Sequence, residues 1–194
     1  MNLNKLRDRA YKTACEHGFH DEELSNEHYL CLVISELMEA VEADRKGKYF
    51  KGILTFEREF NRYSALVEEE KRFKCSFERY VKDTVPDELA DAVIRLLDLA
   101  GLRNIHLELV TKDIGDSIDE IAEYYKDDAF TEAIYHISTL PVIYTGLCGY
   151  NTAINEMILS IFGLAKHLNI DLLWHIEQKQ RYNELRENKH GKRY

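Results

Sequence analysis

Helical periodicity runs through almost the whole chain, and only two prolines and nine glycines interrupt it across 194 residues. Apolar residues recur every three or four positions, and the strict alternation of a half-buried strand is absent. Helices are expected near 2–17, 25–45, 50–82, 87–103, 107–125, 128–147, 150–167 and 171–187. The predicted fold class is therefore all-α, a helical bundle. Pro86 falls in the first turn of its helix, where the missing N–H costs nothing. Asp87 and Glu88 then suit the positive end of that helix.

The length fits one domain with a sizeable core. Acids outnumber bases, 35 against 26, for a net charge of −9. That balance argues against a nucleic-acid polymer as partner, because wrapping a polyanion needs a cationic surface. Small phosphates remain open to such a chain where its basic groups gather locally. The four cysteines, Cys15, Cys31, Cys75 and Cys148, form no C-x-x-C pair. Neither a disulfide framework nor a thiolate zinc site is expected, and a reduced, cytoplasmic setting follows. The N-terminus MNLNKLRDRAYK lacks the apolar centre of a secretory signal, and no apolar run reaches the length of a membrane span.

Residues 50–82 are highly charged with spaced aromatics and read as a long amphipathic arm or hairpin, projecting or packed on the body. A weak internal echo also appears. LAGLRNIHL at 99–107 aligns without gaps on LAKHLNIDL at 164–172. Extended backwards, the alignment sets Ala153 opposite Glu88 and Glu156 opposite Asp91. Either a helix pair is duplicated, or two helices share similar packing needs.

Two short stretches carry the chemistry. In ISELMEAVEADRKGK, residues 34–48, Glu36 and Glu39 stand three apart and so share one helical face. Their neighbours on that face, Tyr29, Leu32, Val33, Ala40 and Ala43, are mostly apolar. In PDELADAVIRLLDLAGL, residues 86–102, Glu88 and Asp91 repeat the spacing beside an apolar stripe. Four facing carboxylates would repel one another and lose hydration. A divalent cation removes both penalties, and an all-oxygen site favours Mg²⁺, Mn²⁺ or Ca²⁺ over zinc or copper. Acids on ordinary solvated faces give the same spacing.

These motifs resemble the MazG-like nucleoside triphosphate pyrophosphohydrolases, the all-α superfamily that includes the dimeric dUTPases. Its E-x-x-E motif corresponds to Glu36 and Glu39, preceded here by EHGFHDE at 16–22. Its E-x-x-D motif corresponds to Glu88 and Asp91 within DELADAVIRLLDLAG. Its K-x-x-x-N-x-x-R motif corresponds to Lys179, Asn183 and Arg186, followed by a basic tail with Lys192 and Arg193. The likeness covers roughly residues 5–48, 85–107 and 164–194. Ser35 stands where many relatives carry another Glu. The stretches 49–84 and 108–163 read as insertions in one MazG-like domain spanning 1–194.

The resemblance implies a four-helix core and a Mg²⁺-dependent reaction, with Mn²⁺ as substitute, that converts a nucleoside triphosphate to the monophosphate and pyrophosphate. Glu36, Glu39, Glu88 and Asp91 would be the metal ligands, with Glu39 also orienting or deprotonating the water. Lys179, Asn183 and Arg186 share a helical face that suits a phosphate chain or, equally in kind, plain solvent. Lys192 and Arg193 would add charge from the tail. Phe19, His20 and Trp174 are candidates for the base slot, with core packing as the alternative for each. Asp98, two turns after Asp91, is either a hydrogen-bonding support or a surface acid. A homo-oligomer, dimer or tetramer, is implied, unless the insertions complete the bundle within one chain.

Two rivals differ in kind. A ferritin-like di-iron protein needs two E-x-x-H motifs on inward helices. The only one here, Glu187 to His190, lies in the polar tail. A non-catalytic helical module, sensing nucleotides or binding a partner through a decayed site, is the other.

Overall fold

The computed structural model describes residues 2–64, 66–107 and 112–191, and among these every regular element is helical. The order is α1 (Leu3–Glu16), α2 (Asn26–Arg45), α3 (Ile53–Asn61), α4 (Glu69–Tyr80), α5 (Val85–Leu102), α6 (Lys112–Tyr124), α7 (Phe130–Leu147), α8 (Tyr150–His167) and α9 (Leu172–Glu184). The all-α bundle read from the periodicity is the observed fold. No single helix among the described residues is long and apolar enough to cross a membrane.

Helix α5 is the axis. Its sequence places Leu89, Val93, Leu96, Leu97 and Ala100 in the core, and α1, α2, α8 and α9 all pack on it. Helices α2, α5, α8 and α7 form a ring in which each touches the next and α7 closes back on α2. The segment 108–163, expected as an insertion, therefore supplies α7 and most of α8, half of that ring. Ile134, Ile137, Ile154, Ile158 and Ile161 from this half join Val33, Leu37 and Leu89 in one core.

Two glycines set close approaches. A Cβ on Gly101 would stand 2.4 Å from Cβ of Tyr11, so α1 lies directly on α5 there. A Cβ on Gly163 would stand 2.2 Å from Cγ2 of Ile121, where α6 meets α8.

The internal echo has a local cause. Asn104 and Asn169 both take positive φ, 51° and 57°, just past the ends of α5 and α8. Ile105 N–H donates to the Ala100 carbonyl and Ile170 N–H to that of Ala165, each at 2.8 Å. Asn104 and Asn169 N–H donate back to Gly101 and Lys166. This is the same Schellman ending twice, with a hydrophobic residue after the left-handed asparagine.

Residues 50–82 form two helices. The chain turns between Asn61 and Glu69, and α3 folds back on α4 as a hairpin packed on the body. Ser64 helps: its carbonyl accepts from Val67 N–H at 3.0 Å and its hydroxyl accepts from Leu66 N–H at 3.2 Å. Folding back lets Phe56 meet Phe73, and with Phe77, Val81 and Tyr182 they build a second core against α9.

Candidate metal and anion site

The α2–α5 contact brings the two acid motifs together. Ligand oxygens of Glu36, Glu88 and Asp91 lie within 4.8 Å of one another. Glu36 is 2% exposed and Glu88 4%. Glu39 is exposed and stands outside this trio. A step of three residues turns a side chain about 60° round the helix, enough to move Glu39 from the core face to the rim. It remains close enough to push the Glu36 carboxyl upward.

Two further groups belong to the cluster. Asp87, suited in sequence to the helix end, is buried, and its Oδ2 accepts from Lys179 Nζ at 2.8 Å and from Asp83 N–H at 3.0 Å. Arg95 Nε donates to Glu36 Oε1 at 2.5 Å. The signal for both was a polar row on α5: Asp87, Asp91, Arg95 and Asp98 stand four, four and three residues apart, on one face.

Lys179 reaches this cluster from α9. Its ammonium bridges Asp87 and Asp91, lying 3.1 Å from Asp91 Oδ2, and it is 4% exposed. Its sequence partners sit beside the cluster, and Arg186 is close enough to help hold the Asp91 carboxyl down. Asn183 and Arg186 line an adjoining cleft of about 80 Å³, together with Asp91, Arg95 and Asp98. Lys192 and Arg193 lie outside the described residues.

The cleft has an apolar wall that includes Phe19, Leu24, Tyr29 and Leu32. His20 sits behind that wall. Its Nε2 lies 2.7 Å from Asp98 Oδ1 and its Nδ1 3.1 Å from the Tyr29 hydroxyl. Asp98 is thus the partner of His20 as well as a wall of the cleft. Trp174 is placed apart, stacked on Phe50 at 5.0 Å and edge-on to Phe56 in the second core.

Burial dominates the electrostatics. It pushes the Glu88 carboxyl up to about 8, against the pull of Lys179 and with the help of Asp87, Asp91 and Glu36. Burial likewise takes Asp87 to about 6 and raises Glu36, with Asp91 adding to the latter. For Asp91 burial also acts upward, but Lys179 and Arg95 outweigh it and hold the carboxyl below its usual value. Lys179 is held protonated: burial disfavours its charge, and Asp87, Asp91 and Glu88 more than reverse that.

The donor set is all oxygen, which suits a hard divalent cation. Glu36, Glu88 and Asp91 could hold one. Buried Asp87 Oδ1 has no hydrogen-bond partner among the described residues. Asp87 lies outside that trio, and its other oxygen already meets the Lys179 ammonium.

No family model, no curated protein and no solved structure matches this chain.

Proposed function

We propose that the protein is a Mg²⁺-dependent nucleoside triphosphate pyrophosphohydrolase of the MazG-like kind, releasing monophosphate and pyrophosphate from an NTP or dNTP. The observation that carries this reading is the junction of a buried carboxylate trio with a cleft lined by Arg95 and Arg186, beside Asp91 and Asp98, and by the aromatic Phe19 and Tyr29. Glu36, Glu88 and Asp91 would hold the metal ion. When bound, that ion neutralises the triphosphate and polarises the phosphorus under attack. Arg95, already paired with Glu36, and Arg186 line the cleft and bring the positive charge that a phosphate chain would need. Phe19 and Tyr29 offer the apolar face a base needs, with His20 and Asp98 bracing the tyrosine from behind. Glu39, at the rim, is the carboxylate left to orient water and accept its proton.

The dimer or tetramer that the resemblance implies is not needed to complete the bundle, because α7 and α8 close the ring in cis. Incubation with a panel of NTPs and dNTPs, with and without Mg²⁺, tests the activity through pyrophosphate release.

One observation favours the non-catalytic alternative. Glu36 and Asp91 are already paired, with Arg95 and Lys179 respectively. A nucleotide-sensing module would bind triphosphate in the same cleft and leave it intact. Ligand binding without turnover in the same panel separates the two.

A further inference from the structure

We infer that Gln180 and Asn183 read the edge of the base, so that the cleft selects cytosine or adenine, which carry an exocyclic amino group, over uracil or hypoxanthine, which carry a keto oxygen at the same position. This rests on the reading that the cleft takes a nucleotide.

The observation is a pair of orphaned acceptors. Gln180 Oε1 and Asn183 Oδ1 are buried and have no hydrogen-bond partner among the described residues. Gln180 is 2% exposed and Asn183 7%. Both residues line the cleft. They stand three apart on α9, so their side chains are neighbours on one face. The Gln180 amide has a fixed sense: its Nε2 donates to the Leu6 carbonyl at 3.0 Å, which leaves the oxygen over. A buried acceptor without a donor is costly, so a ligand that brings the donors is favoured.

The chemistry of that ligand follows from what the two oxygens accept. A phosphate is itself an acceptor and gains nothing from them. An exocyclic amino group carries two N–H bonds in the plane of its ring, one for each oxygen. A keto oxygen at the same ring position turns its lone pairs on theirs. Phe19 and Tyr29 supply aromatic faces on which such a ring stacks. From α1 the cleft takes Ala10, Thr13 and Ala14, small side chains that leave room for a ring edge.

Binding to the full chain decides it. The α,β-imido analogues of CTP and UTP, and of ATP and ITP, are titrated calorimetrically with Mg²⁺. Within each pair the sugar and phosphate chain are identical, so contacts to metal and arginines cancel from the ratio of affinities. A buried hydrogen bond left unmet weakens binding by about 10- to 100-fold. The amino member is expected to bind tighter by that factor in the pair whose ring the cleft admits. In Gln180→Met the ratio should fall towards one, whereas a merely structural role would weaken both analogues alike and leave the ratio. A wild-type ratio at or below one in both pairs overturns the selection, and a water or ribose hydroxyl serving the two oxygens would give that result. A ratio unchanged in folded Gln180→Met overturns it too. Binding of none of the four overturns instead the nucleotide reading beneath it. Should Gln180→Met fail to fold, the wild-type ratio still decides.

Discussion

Lys179 and Asp87 form a salt bridge of 2.8 Å between α9 and α5, with both side chains at or below 5% exposure. Removing one partner of a buried pair leaves a charge without compensation, at a cost of about 3–5 kcal/mol. The two partners are not equivalent. Lys179→Met strands Asp87 and Asp91 together, whereas Asp87→Asn leaves Lys179 still paired with Asp91. Chemical denaturation in chelator is expected to show the larger loss for Lys179→Met, near that full range, and a smaller one for Asp87→Asn.

The metal-free protein is expected to lose stability as pH rises from 6.5 to about 8. Burial holds the Glu88 carboxyl at about 8, far above its ordinary 4.5. Between those values the folded chain keeps a proton that the unfolded chain has released, so raising the pH favours unfolding. His175 acts the other way, because burial lowers it to about 4 from 6.5. Its effect raises stability with pH but is complete once pH passes 6.5. Above that point the raised carboxyls set the slope, Glu88 among them and Glu36 and Asp98 acting in the same direction. Thermal melts in chelator across the window check this, and saturating Mg²⁺ should flatten the fall by favouring the ionised carboxylate.

Arg186→Ala removes a guanidinium from the cleft without taking away a ligand of the carboxylate trio. A charge-assisted contact contributes about 1.5–3 kcal/mol, or roughly 10- to 150-fold in kcat/KM. Arg95→Ala should lose at least as much activity and also stability, since Glu36 is then left buried without its partner. Steady-state kinetics and denaturation on both variants separate the two effects.

Gly101→Ala forces a Cβ to within 2.4 Å of Tyr11 Cβ. Overpacking of this kind costs about 1–3 kcal/mol. Because α1 forms part of the cleft wall through Ala10, Thr13 and Ala14, displacing it should also weaken nucleotide binding. A melting curve and a nucleotide titration measure the two consequences.

The fold class was legible because helical periodicity is local and the two prolines do not break it. The acid motifs were legible for the same reason, since three-residue spacing on a helix places side chains before any tertiary contact is known. The roles of Asp87 and Arg95 were not, because each is fixed by a partner on another helix: Lys179 on α9 and Glu36 on α2. Asp87 reads in sequence as an ordinary first-turn acid. Lys179, aligned with a phosphate-binding motif, lies among carboxylates because α9 packs on α5 with that residue inward. For 50–82 the sequence left arm and hairpin both open, because the turn contains neither glycine nor proline to mark it; the hairpin is secured by Phe56 meeting Phe73 across it. The echo between 99–107 and 164–172 was legible as sequence, yet its cause, two left-handed asparagines, is a matter of backbone geometry.

In the proposed reaction, the carboxylates of α2 and α5 hold a metal ion for pyrophosphate release from a nucleoside triphosphate. Pyrophosphate formation from an NTP and dNTP panel, measured with and without Mg²⁺ for wild type, Glu36→Ala and Asp91→Ala, tests it most directly. Mg²⁺-dependent turnover of at least one nucleotide by wild type is expected, lost in both variants while their helical circular dichroism is retained. No turnover of any nucleotide by wild type, or full activity in both variants, would contradict it.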